Sequence, residues 1–218
     1  MNVVISGTSN GIGLATAKKF LAEGHAVFGY DVAPAGIEDA AYTHTVHDVR
    51  DALPADEAAR VSPEIIIVSA GPIEEADALS VNLEGAICFT ESFLGSPALK
   101  SVLFVASASA RSGAEFPRYV ASKAGLVGYM KYLANELGKR GITVNSISPG
   151  GVITSMNAHI LENPALYEAV LAETLLGKWA QPEEVADLAF FLTAVNRSVT
   201  GEDILMDNGE QLKSNFIW

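Results

Sequence analysis

The sequence predicts a doubly wound α/β sheet, and three observations carry that expectation. Short apolar runs alternate with helical patterns along nearly the whole chain, the order expected of parallel strands joined by helical crossovers. One run, Ile65-Ile66-Ile67-Val68, is apolar on both sides of its pleat, as a strand covered on both faces requires. The first strand also leads through a glycine-rich turn directly into a helix.

Val3 to Ser6 and Ala26 to Tyr30 read as the first two strands, flanking an amphipathic helix from about Ile12 to Glu23. A weaker strand lies near Thr43 to Val46, and only about Pro54 to Arg60 is left for the crossover to the Ile65–Val68 strand. Val102 to Ala106 and Thr143 to Ile147 are two more strands, preceded by helices near Ala76 to Phe93 and Tyr119 to Lys139 respectively. The second of these helices closes with a basic last turn and Gly141, as a helix terminus should. Pro182-Glu183-Glu184 opens another helix, since proline suits a first turn and carboxylates suit its positive end. A last strand is expected at Asp203 to Met206. No repeat, low-complexity stretch or linker interrupts the pattern, so residues 1–218 are expected to form a single domain carrying both cofactor and substrate sites.

At 218 residues and 49% hydrophobic, the chain is long enough for one substantial core and short for two. The opening residues already read as a strand, with no basic leader or apolar signal core before them, and no apolar run approaches the roughly 20 residues that span a bilayer. A soluble, cytoplasmic protein is expected. The single cysteine, Cys88, excludes an internal disulfide and reads as a buried side chain in a reducing compartment. A formal charge of −12 argues against nucleic acid or anionic membrane as partner. His25, His44, His47 and His159 lack a metal-ligand spacing, so no metal is expected.

With so acidic a chain, an anionic cofactor must be captured by local backbone donors. Ser6-Gly7-Thr8-Ser9-Asn10-Gly11-Ile12-Gly13 offers them at the start of the first helix. Glycines admit backbone conformations closed to other residues and let the chain approach a phosphate, while the free N–H groups and dipole of the helix favour the anion. The spacing is Gly-x-x-x-Gly-x-Gly and differs from the general dinucleotide fingerprint. Asp31 ends the second strand about 20 positions beyond the turn, where a carboxylate accepts hydrogen bonds from adenosine ribose and repels the extra phosphate of NADP. NAD is therefore the expected cofactor; a capping or merely exposed aspartate is the other reading.

Tyr119 and Lys123 lie at i and i+4, on one face of the predicted helix. A free phenol has a pKa of about 10, and a nearby ammonium favours its ionised form. The pair is thus a candidate acid/base, although the spacing alone also arises by chance.

Together with the glycine turn and the strand order, these residues give a sequence that resembles the short-chain dehydrogenase/reductase family over essentially all of its length. The resemblance is carried by Gly7, Gly11 and Gly13; Asp31; Asp48-Val49; Ser69-Ala70-Gly71; Asn82; Ser107; Tyr119 and Lys123; Pro149-Gly150 with Thr154; and the closing Gln181-Pro182-Glu183-Glu184, Thr200-Gly201 and Asp207-Asn208-Gly209. It implies a Rossmann-type sheet of about seven strands in the order 3-2-1-4-5-6-7, and an NAD-dependent oxidoreductase acting on an alcohol/ketone pair. Tyr119 would be the acid/base, Lys123 would lower its pKa and bind the nicotinamide ribose, Ser107 would orient the substrate oxygen, and Asn82 would hold a water in a proton relay. The turn, with Ser9, Asn10 and Ile12 beside its glycines, would receive the pyrophosphate. Asp48 and Val49 would flank adenine, Ala70 and Gly71 would line the cofactor through backbone, Pro149, Gly150 and Val152 would also bind it, and Thr154 would bind the nicotinamide side near its carboxamide or the pyrophosphate. A homodimer or homotetramer is also implied.

The chain departs from the family pattern in places. Ser6 stands where threonine is usual, and Ser69 where asparagine is. Ser107 lies 12 residues before Tyr119, one fewer than is common, which leaves Ser109 as an alternative. The compact stretch from Asp31 to Asn82 implies an open adenine end and moderate affinity for NAD. Met156, His159, Ile160 and Leu161 suggest a mostly apolar substrate lid, with His159 facing solvent, and Phe116 either lines the pocket or packs elsewhere. The apolar end Phe216-Ile217-Trp218 is expected in or near a subunit interface. A non-catalytic dinucleotide sensor of the same fold is the alternative function, but the retained Tyr, Lys, Ser and Asn speak for an enzyme. A sugar-nucleotide epimerase is disfavoured by the glycine spacing and the short chain.

Overall fold

The computed structural model describes residues 1–73, 75–114 and 116–213. Strands β1 (Asn2–Ser6), β2 (Ala26–Asp31), β3 (Tyr42–Val46), β4 (Ile65–Val68), β5 (Ser101–Val105), β6 (Thr143–Pro149) and β7 (Asp203–Met206) form one parallel sheet. Their order is β3-β2-β1-β4-β5-β6-β7, as the sequence implies. Because β1 pairs with β2 on one side and β4 on the other, the connections leaving its two neighbours diverge. A crevice opens there, beyond the carboxyl ends of the strands.

The apolar strands alternate between two cores. Val4, Ile66 and Phe104 face the layer of α2 (Glu57–Val61), α3 (Ala86–Glu91) and α5 (Pro117–Gly138), where they meet Val61, Phe89, Leu126 and Met130. Val3, Ile5, Ile65 and Ile67 face α1 (Gly11–Ala22) and α8 (Pro182–Phe190), against Ala17, Phe20, Val185 and Ala189. Burying one such side chain contributes about 1.5–3 kcal/mol, so the doubly covered central strands dominate stability. Strand β3 lies at the edge and stays partly exposed.

The helix boundaries follow local chemistry. Gly24, at φ +78°, turns the chain after α1. Pro117 opens α5 after an extended Phe116. At α8, Glu184 Oε2 accepts from the Gln181 backbone N–H at 2.8 Å. Two short helices, α6 (Ala158–Leu161) and α7 (Pro164–Ala172), follow β6, and the four-residue α4 (Ser109–Ser112) follows β5.

Three expectations need correction or a boundary. The helix expected from Ala76 to Phe93 begins with a turn at residues 75–77 and is π-helical over Ser80–Gly85 before becoming α3. Here Gly85 lets the wide turn approach Val49, since a Cβ on it would lie 2.8 Å from Val49 Cγ2. Cys88 is only half-buried, because it lies on the flank of α3 with Sγ 3.7 Å from the Asp51 carbonyl oxygen. The expected interface tail, Phe216 to Trp218, lies outside the described residues. Among the described residues, no helix is long and apolar enough to cross a membrane.

The short α2 crossover is fastened by a partly buried polar cluster. The Tyr30 hydroxyl donates to Glu57 Oε1, and Arg60 Nε donates to Glu57 Oε2 at 2.8 Å. The Arg60 guanidinium holds the Glu57 carboxyl below the usual carboxylate range, and burial followed by the hydrogen bond to Glu57 pushes the Tyr30 phenol up. A carboxyl with a depressed native pKa adds stability that is complete above its unfolded value, about 4.3, and is lost as pH falls through the native value. Glu57→Gln should therefore cost about 1–3 kcal/mol at neutral pH and flatten the acid limb of stability. Urea unfolding at neutral pH and at pH 3 to 5 measures both effects.

Candidate active site

The crevice is a cleft of about 670 Å³. Every residue expected at the site lines it except Ser9 and Asn82.

At one end is the glycine turn. Gly7 has φ +79°, and a Cβ there would lie 2.7 Å from the Ala70 nitrogen, so the loops after β1 and β4 can meet only at a glycine. Gly13 is equally constrained, since a Cβ on it would sit 2.0 Å from the Gly7 carbonyl oxygen. Ser6 retains the work of a hydroxyl at its position: Oγ accepts from the Ser69 and Ala70 backbone N–H groups at 3.1 and 3.2 Å. This cradle fits a phosphate approached by backbone at the start of α1.

Asp31 follows at the end of β2. Its Oδ2 accepts from the Ser9 N–H and its Oδ1 from the Ala33 N–H, both at 2.9 Å. The aspartate therefore ties two loops together and also lines the cleft. Ser9 points away, donating its hydroxyl to the Pro34 carbonyl oxygen at 2.8 Å.

The end of the cleft where adenine is expected holds a residue that sequence reasoning missed. Arg50 lines the cleft and grips Asp48 with Nε on Oδ1 at 3.0 Å and Nη2 on Oδ2 at 2.6 Å. Its guanidinium holds the Asp48 carboxyl below the ordinary range. The available signal was its place immediately after Asp48-Val49. His47 also lines this end. Among the described residues, no group of three or more His, Cys, Asp or Glu is arranged to hold a metal ion.

The opposite end is built by α5 against β5. Lys123 is 4% exposed, and its Nζ donates to the Val105 carbonyl oxygen at 3.0 Å. It lies 5.8 Å from the centroid of the Tyr119 ring, which is itself 9% exposed. Burial pushes the Lys123 pKa down to about 8.

Asn82 is fully buried behind Gly71. Its Nδ2 donates to the Pro72 carbonyl oxygen at 3.0 Å and to Ser122 Oγ at 3.2 Å, while its buried Oδ1 has no partner among the described residues. A Cβ on Gly71 would lie 2.7 Å from that Oδ1 and 3.2 Å from Lys123 Nζ, so glycine leaves room where these polar atoms converge.

Ser107 lines the cleft and Ser109 does not. The two are bonded, with Ser107 Oγ accepting from the Ser109 N–H at 3.2 Å and from the Ser109 hydroxyl at 2.8 Å. The lid differs from the apolar one expected. Ser155, Met156 and Asn157 line the cleft, while Ile160 and Leu161 do not, because the chain turns into α6. His159 is exposed, as expected. Phe116 is 51% exposed and takes no part in the cleft wall.

A family model described as Enoyl-(Acyl carrier protein) reductase matches residues 67–211. Among curated proteins, galactitol 2-dehydrogenase (L-tagatose-forming) of Cereibacter sphaeroides is 31% identical over 235 residues, covering 94% of this chain and 92% of the relative. Among solved structures, an oxidoreductase of the short chain dehydrogenase/reductase family from Burkholderia thailandensis has a TM-score of 0.91 and 28% identity, covering 97% of this chain and 92% of its own. A putative 2-deoxy-D-gluconate 3-dehydrogenase from Agrobacterium tumefaciens with bound NADP has a TM-score of 0.87 and 25% identity, covering 97% and 96%. A 4-hydroxyisoleucine dehydrogenase complexed with NADH also has 0.87 and 25%, covering 98% and 100%.

Burial of Lys123 makes a signed prediction. Between its native pKa of about 8 and the ordinary 10.5, the unfolded chain binds more protons than the native one, so stability rises with pH across that window. Below it, the full cost of burying the ammonium remains. Lys123→Met should therefore stabilise the cofactor-free protein by roughly 1–3 kcal/mol at neutral pH, with the gain shrinking as pH rises. Denaturant unfolding at pH 7 and pH 10 checks the sign.

Proposed function

The chain belongs to the short-chain dehydrogenase/reductase family of hydride-transferring oxidoreductases, and on that premise we propose that it interconverts an alcohol and a ketone with NAD as cofactor and Tyr119 as acid/base. One observation carries the reading: the glycine turn and the Tyr119–Lys123 pair, from opposite halves of the sequence, line one cleft.

When bound, the nicotinamide carries the hydride. The protein's part is to hold the reactants and manage the proton. Backbone from Gly7 to Gly13 would receive the pyrophosphate, Asp31 the adenosine ribose and Lys123 the nicotinamide ribose. Asp48 and Val49 would flank adenine; Ala70, Gly71, Pro149, Gly150, Val152 and Thr154 would line the remainder. Ser107 donates to the substrate oxygen. In reduction Tyr119 gives that oxygen a proton, and in oxidation it takes one. With its pKa near 8, Lys123 is mostly charged at neutral pH and favours the tyrosinate. Asn82 Oδ1, buried near Lys123 Nζ, supports a relay site behind Gly71.

The cofactor choice rests on charge. A 2′-phosphate would meet the Asp31 carboxylate, while Arg50, in the same cleft wall, is committed to Asp48. A ribose hydroxyl can still donate to the remaining lone pairs of Asp31. At the substrate end, Ser155 and Asn157 beside Met156 support a hydroxylated substrate, in keeping with the galactitol-oxidising relative.

NADH absorbance should reveal turnover in a screen of galactitol, xylitol, secondary alcohols and their ketones, and Tyr119→Phe should lower kcat by about 10²- to 10⁴-fold. Normal turnover by that variant would overturn the mechanism. In calorimetric titration, NAD is expected to bind with at best micromolar affinity, and NADP at least about tenfold more weakly. Asp31→Asn should narrow that gap; equal binding of the two by the natural chain would overturn the cofactor assignment.

A further inference from the structure

We propose that Ser109 is a positioning residue for the reaction, aiming the hydroxyl proton of Ser107 into the cleft. This rests on the reading of Ser107 as the group that polarises the substrate oxygen.

A serine hydroxyl has one proton and two acceptor lone pairs. Ser109 supplies Ser107 Oγ with two donors, its backbone N–H at 3.2 Å and its hydroxyl at 2.8 Å. Both acceptor positions are thereby taken from the α4 side, which leaves the Ser107 proton to point the other way, into the cleft that Ser107 lines. Orientation matters here because only the donating state stabilises negative charge on the reacting oxygen, and a donor fixed beforehand needs no reorganisation. A rotor shared between donor and acceptor states would lose part of that effect.

Ser109 can act this way because its short helix is fastened. A four-residue helix has little stability of its own. Arg111 on α4 donates through Nε to Asp203 Oδ2 at 2.8 Å, and its guanidinium also reaches the Asp203 carbonyl. Asp203, 9% exposed, receives the Ser146 and Ser148 hydroxyls on Oδ1 at 2.7 Å each. Its carboxylate is thus paired and hydrogen-bonded, as burial of a charge demands. Gln211 Nε2 adds a bond to the Ala108 carbonyl oxygen at 2.9 Å. Strands β6 and β7 therefore hold α4 in register with Ser107. Neither Ser109, Arg111 nor Asp203 lines the cleft, and because α4 also packs against α5, the Ser107→Ala background separates an effect passed through Ser107 from one passed through α5.

The test compares Ser109→Ala, Ser109→Thr, Ser107→Ala and the Ser107→Ala/Ser109→Ala double variant. The substrate is galactitol, or whichever alcohol in the screen above turns over fastest, with thermal melts alongside. Ser109→Ala should lower kcat about tenfold while KM changes less than about threefold, and Ser109→Thr, which keeps both donors, should recover most of the loss. In the Ser107→Ala background, Ser109→Ala should have less than about a twofold further effect. If Ser109→Ala melts early, Ser109→Cys, a weak donor of similar size, provides the same comparison. Unchanged kcat in Ser109→Ala, no recovery in Ser109→Thr, or an equal loss in both backgrounds would overturn the proposal. Loss of turnover in Tyr119→Phe with full activity in Ser109→Ala would remove this inference alone; full activity in Tyr119→Phe would remove the functional reading beneath it.

Discussion

A buried ammonium held by the last carbonyl of β5 is the contact on which the proposed catalytic end depends. Lys123 is almost completely withdrawn from water, and its bond to Val105 joins α5 to the sheet two residues before Ser107. Tyr119, one turn earlier on α5, is carried to the same wall. Burial weakens the lysine's hold on its proton and strengthens the field it exerts nearby, because both effects come from poor solvation. The cost to stability and the capacity to perturb a phenol thus share one cause.

The proposed cofactor end depends on close approach instead of charge. Backbone from the β1 and β4 connections meets at Gly7 and Ala70, and the Ser6 hydroxyl accepts from both Ser69 and Ala70. Asp31 then ties the glycine turn to the loop after β2. An acidic chain can in this way present backbone donors to an anion while the nearby Arg50 guanidinium remains engaged with Asp48. The short crossover helix α2 is tied to β2 by the Tyr30–Glu57 bond, with Arg60 holding Glu57 from the other side.

Much of this was legible because its signals are local or periodic. Ile65–Val68 announces a doubly covered strand whatever lies around it, and Gly7 and Gly13 announce a turn that side chains would block. The choice between Ser107 and Ser109 was not legible in the same way, since a spacing cannot show which hydroxyl faces a cleft. Nor could helical periodicity reveal the π-helical turn that buries Asn82, or that Ile160 and Leu161 turn away with α6. Cys88 misled because its apolar neighbours describe the chain and not the helix flank.

The sequence by itself determined the strand pattern, the glycine cradle and the residue types able to handle a proton, because each is written in neighbouring positions. Only the tertiary structure decided that Arg50 closes on Asp48, that Asn82 and Lys123 converge behind Gly71, and that Ser109 binds Ser107 on a helix anchored by Asp203. The Asn82–Lys123 and Arg111–Asp203 arrangements join side chains across different elements, while the two-residue Arg50–Asp48 and Ser109–Ser107 contacts depend on how their loops turn. Their geometry is set by how the two cores close on the sheet, which no local run of residues specifies.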